Sequence, residues 1–108
     1  MHSADDGPAL LRWEGPCTLA EADLLRRSLL DVIAQTSAPV VVLDQAAAAV
    51  LAAGAAGILV GAHTRLRADG RELRLAALQP PVLRALQLMK LAGQLHIFFS
   101  DAAACDGS

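Results

Sequence analysis

Four consecutive residues, Val40, Val41, Val42 and Leu43, carry no polar side chain, and the first three are β-branched. A strand points alternate side chains to opposite faces, so such a run has no face to offer water. It must lie inside a sheet covered on both sides, and that requirement points to an α/β architecture with this run as a central strand. The polar stretch Gln35–Thr36–Ser37–Ala38–Pro39 breaks the chain before it, and Asp44 closes it.

The flanking segments supply the partners. Ala9–Glu14 alternates, with Ala9, Leu11 and Trp13 on one face and Leu10, Arg12 and Glu14 on the other. That pattern predicts a half-buried strand, ended by Gly15–Pro16. Thr18–Leu19–Ala20–Glu21 has the form of a capping box. It opens a helix expected over Thr18–Ala34, with Leu25, Leu29, Val32 and Ile33 as the apolar stripe. A second helix is expected over Gly54–Ala68. Ile58, Ala62 and Leu66 follow one row, Arg65, Arg67 and Asp69 face solvent, and Gly70 takes the left-handed position past the end. Glu72–Ala76 alternates as a strand. Pro80–Pro81 suits the opening of a third helix, expected over Pro81–Leu91. Leu95–Phe99 is the last strand.

The order β-α-β-α-β-α-β predicts a single α/β domain. Its sheet is expected to be four- or five-stranded and mixed, largely parallel, with helices packed on it. Residues 1–8 are expected to form a flexible arm and residues 9–104 the domain. Asp101–Ser108 reads as a small-residue tail, with 105–108 beyond the domain.

Composition removes several function classes. The chain of 108 residues has 9 basic and 11 acidic side chains, and 3% of its residues are aromatic. It therefore has neither the basic surface nor the stacking platforms of a nucleic-acid binder. Ala46–Ala62 carries no charge, but Gly54, Gly57 and Gly61 interrupt it and no basic residue flanks its start. It reads as a buried α/β segment, not a membrane span. Met1–Pro8 lacks the basic and apolar regions of a signal peptide, and a cytoplasmic location is expected.

Cys17 and Cys105 form neither a disulfide framework nor a zinc pattern, and His2, His63 and His96 add no ligand spacing. No metal is expected. His63 is placed on the exposed side of its helix and His96 on an exposed strand edge. Ser28 and Ser37 lack a nucleophile elbow, and the Gly54–Gly57–Gly61 series lacks the Lys-Ser/Thr of a phosphate loop. Asp44, with no second catalytic group in the pattern, serves to cap a turn. No catalytic residue and no cofactor is expected.

Over about Ala9–Ala104 the chain resembles the STAS family, named for sulfate transporters and anti-sigma-factor antagonists. The family pattern is a strand ending in Asp, a connection, and Asp-Ser-Ser-Gly-Leu-Gly opening a helix. Here the strand is Val40–Asp44, the connection Gln45–Leu51, and the helix opening Ala52–Ala53–Gly54–Ala55–Ala56–Gly57. Leu66–Leu75 resembles the family's helix end, Gly and strand, and Pro80–Leu86 its next helix. Trp13–Leu19 resembles the stretch where a strand meets the first helix. The departures fall at the helix opening. Ala52 stands where family antagonists carry Asp, Ala53 where they carry the serine phosphorylated by a partner kinase, and Lys90 where Gly is common.

The resemblance implies a non-enzymatic regulatory module that docks on a protein. The implied partner is a kinase-type anti-sigma factor or a related signalling protein. The alternative is a structural subunit supporting the ATPase of a lipid-transport ABC system. The expected contact comprises Asp44, Ala52, Ala53, Gly54, Ala55, Ala56 and Gly57. Ala53, the substituted phosphoacceptor position, has no oxygen to modify, and the small residues around it would let another backbone approach closely. Arg71, beyond the far end of the helix, is expected to stand clear of docking.

Overall fold

The computed structural model describes residues 7–15 and 18–106. Most of the expected N-terminal arm, and Cys17, lie outside the described residues. Among the described residues four strands form one sheet: β1 (Ala9–Arg12), β2 (Val40–Asp44), β3 (Glu72–Ala76) and β4 (His96–Phe98). The helices described with them are α1 (Ala22–Gln35), α2 (Ala53–Ala68), α3 (Pro80–Leu88) and α4 (Asp101–Asp106). The strands lie side by side in chain order, β1-β2-β3-β4. Against the expectation of a mixed sheet, all three pairings are parallel. A helix-containing connection separates each strand from the next, and such crossovers return the chain in the same direction.

Register explains how each face is filled. Leu11, Leu43, Leu75 and Ile97 stand in one row across the sheet. They join a core with Leu25 and Leu29 of α1, Leu59 and Leu66 of α2, and Val82 and Leu86 of α3. The three longer helices therefore cover one face. The other face holds a smaller cluster in which Val42 and Ala76 meet Ala104 of α4. Val41, Val42 and Leu43 are fully buried, as their continuous apolar run requires.

Local chemistry sets the ends of the elements. Leu19–Glu21 is a 3-10 turn leading into α1. The Glu21 carboxylate reaches back to accept the Thr18 backbone N–H at 3.2 Å, and also the Thr18 hydroxyl. β1 ends two residues earlier than expected. Trp13 still donates its N–H to the Asp44 carbonyl at 2.9 Å before Gly15, at φ +115°, turns the chain away. Past α2, Gly70 adopts φ +74°, and Arg71 N–H returns to the Leu66 carbonyl at 2.8 Å. The same closure ends α3, where Leu91 N–H reaches the Leu86 carbonyl at 2.9 Å and Lys90 is held at φ +60°. That left-handed position is why glycine suits it.

Two expectations need correction here. Residues 101–106 form a helix, not a tail. Ser100 Oγ accepts the Ala103 N–H at 3.1 Å, and Ala103 and Ala104 are buried against the sheet. His63 is buried, at 5% exposure, not exposed. It follows Leu59 by four residues and precedes Leu66 by three, so it shares their inward row.

Candidate protein-docking site

The expected docking residues cluster at the carboxyl ends of the strands, and the structure separates them by depth. Asp44, the last residue of β2, is buried. Its Oδ1 accepts the Ala46 N–H at 2.8 Å, a turn-capping bond that redirects the chain out of the sheet. Its Oδ2 lies 3.5 Å from Arg12 Nε on the neighbouring strand, and Arg12 Nη2 lies 3.6 Å from Asp101. Burial, and then the nearby Asp44 carboxylate, push the Asp101 carboxyl above its usual range, while Arg12 pulls it back. Asp44 thus supports the site from below and presents no contact surface.

Ala52 is the N-cap of α2, with extended backbone at φ −76°, ψ 155°, and no side chain caps the helix end. The first turn also lacks an acidic residue. The helix begins with its N–H groups directed outward and its partial positive charge unopposed by local side chains. Ala53, Gly54 and Gly57 are exposed there. Ala55 and Ala56 are fully buried in the core, which removes them from the expected contact set. They let α2 sit close to the sheet.

Beside the exposed residues runs an apolar groove of about 370 Å³ between α1 and α2, with Leu29, Leu30 and Arg26 on one wall and Gly54, Gly57 and Gly61 on the other. A Cβ placed on Gly57 or Gly61 would meet nothing within 4 Å, and one on Gly54 would meet only the Leu19 side chain, at 3.3 Å. Leu19 itself is 75% exposed and Val50, just ahead of α2, 50% exposed. Leu19, Val50 and Leu30 were absent from the sequence-based set. The available signal was that Leu19 and Leu30 are apolar residues off the α1 stripe.

Among the described residues no group of three or more His, Cys, Asp or Glu could hold a metal ion. No helix among them is long and apolar enough to cross a membrane.

The family model for the STAS domain matches residues 3–104. No curated protein matches the chain. Several solved structures share its fold. An anti-sigma factor antagonist from Mycobacterium paratuberculosis superposes with a TM-score of 0.84 at 22% identity, over 94% of this chain and 86% of that one. A sulfate transporter family protein from Wolinella succinogenes gives 0.79 at 23% identity, over 94% and 84%. The anti-sigma factor antagonist SpoIIAA in its unphosphorylated form gives 0.77 at 16% identity, over 94% and 88%. At these identities the likeness concerns the fold.

Proposed function

This chain belongs to the STAS domain family, and on that premise we propose that it is a non-enzymatic docking module. It seats the open end of α2 and the groove beside it on a kinase-type anti-sigma factor or a related cytoplasmic signalling protein. The observation that carries this reading is the uncapped helix end of exposed Ala53, Gly54 and Gly57, continuous with an apolar groove. A partner backbone can approach there closely, and the apolar walls lose their water when it does. Two of the similar folds belong to anti-sigma factor antagonists, which supports the choice of partner class. Ala53 offers no hydroxyl, so docking here is not switched by phosphate at that position.

Titration calorimetry tests the reading. A kinase-type anti-sigma factor and, separately, the ATPase subunit of a lipid-transport ABC system are titrated with the wild-type chain, Ala53→Glu and Arg84→Glu. Ala53→Glu keeps the helix intact, because a carboxylate suits a helix N-terminus, yet puts a bulky charge into the contact. It should abolish binding to the signalling partner, while the exposed Arg84 on α3 tolerates reversal. Equal binding by Ala53→Glu and wild type places the contact elsewhere. Binding to the ATPase alone replaces the signalling assignment with the structural one. A second measurement checks the family register: Ala53→Ser should gain one phosphate by intact mass with kinase and ATP, and the unmodified chain none.

A further inference from the structure

The second half of α2 carries a feature that docking does not use. Val60, His63, Thr64 and Arg67 follow one another at helical spacing and face the turn and strand Gly93–His96 across a hollow of about 490 Å³. That volume is within the range of small-molecule sites. His63 lines it while 5% exposed, and both of its ring nitrogens are buried with no hydrogen-bond partner among the described residues. Folded proteins rarely leave a buried polar side chain unsatisfied, because doing so forfeits its hydration with nothing in return. The His96 ring stands edge-on to it at 5.3 Å between centroids.

The charges around this hollow are biased. Arg67 has no carboxylate within ion-pair distance among the described residues. The carboxylate of Glu72 lies 4.0 Å from His96 Nδ1 but is taken by Arg74 Nε at 2.9 Å. That hydrogen bond, above all, holds the Glu72 carboxyl below its usual range. Donors therefore outnumber acceptors: the Arg67 guanidinium, the Thr64 hydroxyl, the Gln94 amide and two imidazoles.

We infer that this hollow is a binding site for a small oxyanion, a phosphate- or carboxylate-bearing metabolite held by Arg67 and His96, with the buried His63 ring behind them. Arg67 offers a planar fork matched to such a group. The half-exposed His96 imidazole gives an N–H, His63 behind it can take up a proton, and Val60 and Leu95 supply an apolar wall for the rest of the ligand. Burial first, then His96 and Arg67, hold His63 toward its neutral form, with Glu72 opposing. An anion reverses that balance, so binding takes up a proton and strengthens as pH falls. The site lies toward the opposite end of α2 from Ala53, roughly 15 Å along the axis at the usual rise per residue.

The test uses the ¹⁵N-labelled full chain in chloride at constant ionic strength. Sulfate is the tetrahedral probe, because its charge does not change near neutrality, and malonate is the planar one. Saturable amide shifts confined to His63, Thr64, Arg67, Gln94 and His96, tighter at about pH 6.5 than at about pH 8, support the site. Saturation by sulfate alone specifies a phosphate-like group, and by malonate alone a carboxylate. Arg67→Ala, a change at an exposed position, should weaken binding about tenfold or more, and Ala53→Glu should leave it unchanged. Shifts that stay linear for both probes, shifts centred on Ala53–Gly57, or an Arg67→Ala variant that binds like wild type each overturn the inference.

Discussion

Replacing Gly57 with alanine separates what the fold needs from what docking needs. A glycine inside a helix costs roughly 0.5–1 kcal/mol relative to alanine, because the unfolded chain is freer. That cost is justified structurally only where a methyl group would collide. At Gly57 and at Gly61 a Cβ meets nothing within 4 Å, so no steric term offsets the gain. Gly57→Ala should stabilise the protein by about 0.5–1 kcal/mol, and the double change Gly57→Ala/Gly61→Ala by about 1–2 kcal/mol. For a domain of this size that corresponds to a rise in Tm of about 4 °C per substitution. The single tryptophan, Trp13, is buried at 7% exposure, so its fluorescence in urea reports global unfolding, and circular dichroism follows the helices. The same two methyl groups narrow the groove between α1 and α2. Partner affinity should therefore fall as stability rises. A lower Tm for Gly57→Ala would refute the argument, because it would mean that this face of α2 is already packed.

Other changes have signs that follow from the geometry. At φ +60°, Lys90 sits where an L-residue is disfavoured, whereas Gly70 at φ +74° already has the suited residue. In denaturant titrations Lys90→Gly should gain about 1 kcal/mol and Gly70→Ala lose about as much. The Arg71 guanidinium binds the carbonyls of Ala38 at 2.8 Å, Thr36 at 2.9 Å and Ile33 at 3.3 Å, tying the end of α1 to the start of β2. Arg71→Ala should cost about 2 kcal/mol in the same assay, which is why Arg84, not Arg71, serves as the docking control. His63 is held toward neutrality by burial, so its folded-state pKa lies below that of a free imidazole. The unfolded chain binds that proton first, and stability contributed by the neutral ring is lost as pH falls below about 6.5. Urea midpoints between about pH 7.5 and 5.5 should decline less steeply in His63→Phe than in wild type.

The order of elements was legible because it rests on local signals. The β-branched run of β2, the Thr18–Glu21 pair and Gly70 each announce themselves within a few residues. What stayed hidden depends on contacts between distant segments. Ala102–Ala104 has no periodicity to mark a helix, and the surface that buries it comes from Val42 and Ala76 on two other strands. The inward face of α2 was blurred because alanines and glycines occupy several of its sides. Ala55 and Ala56 therefore read like Ala53, although two are buried and one is exposed. His63 could have been placed by its spacing from Leu59 and Leu66, but its polarity argued the other way. The docking groove is a tertiary object: α1 supplies Leu29 and Leu30 and α2 supplies the glycines, and neither stretch alone marks a concavity.

The sheet lists its strands in the order in which a ribosome would deliver them. β1 can pair with β2 once Asp44 has emerged, β3 then adds to the outer side of β2, and β4 to the outer side of β3. Among the described residues no strand has to insert between two that are already hydrogen-bonded, so folding can keep pace with synthesis from the N-terminal end. The exception is the thinly covered face. Val42 and Ala76 wait there for Ala104, which follows all four of these strands along the chain. During that interval the nascent domain shows an apolar stripe on its rear surface, and it is there that a chaperone would find its grip.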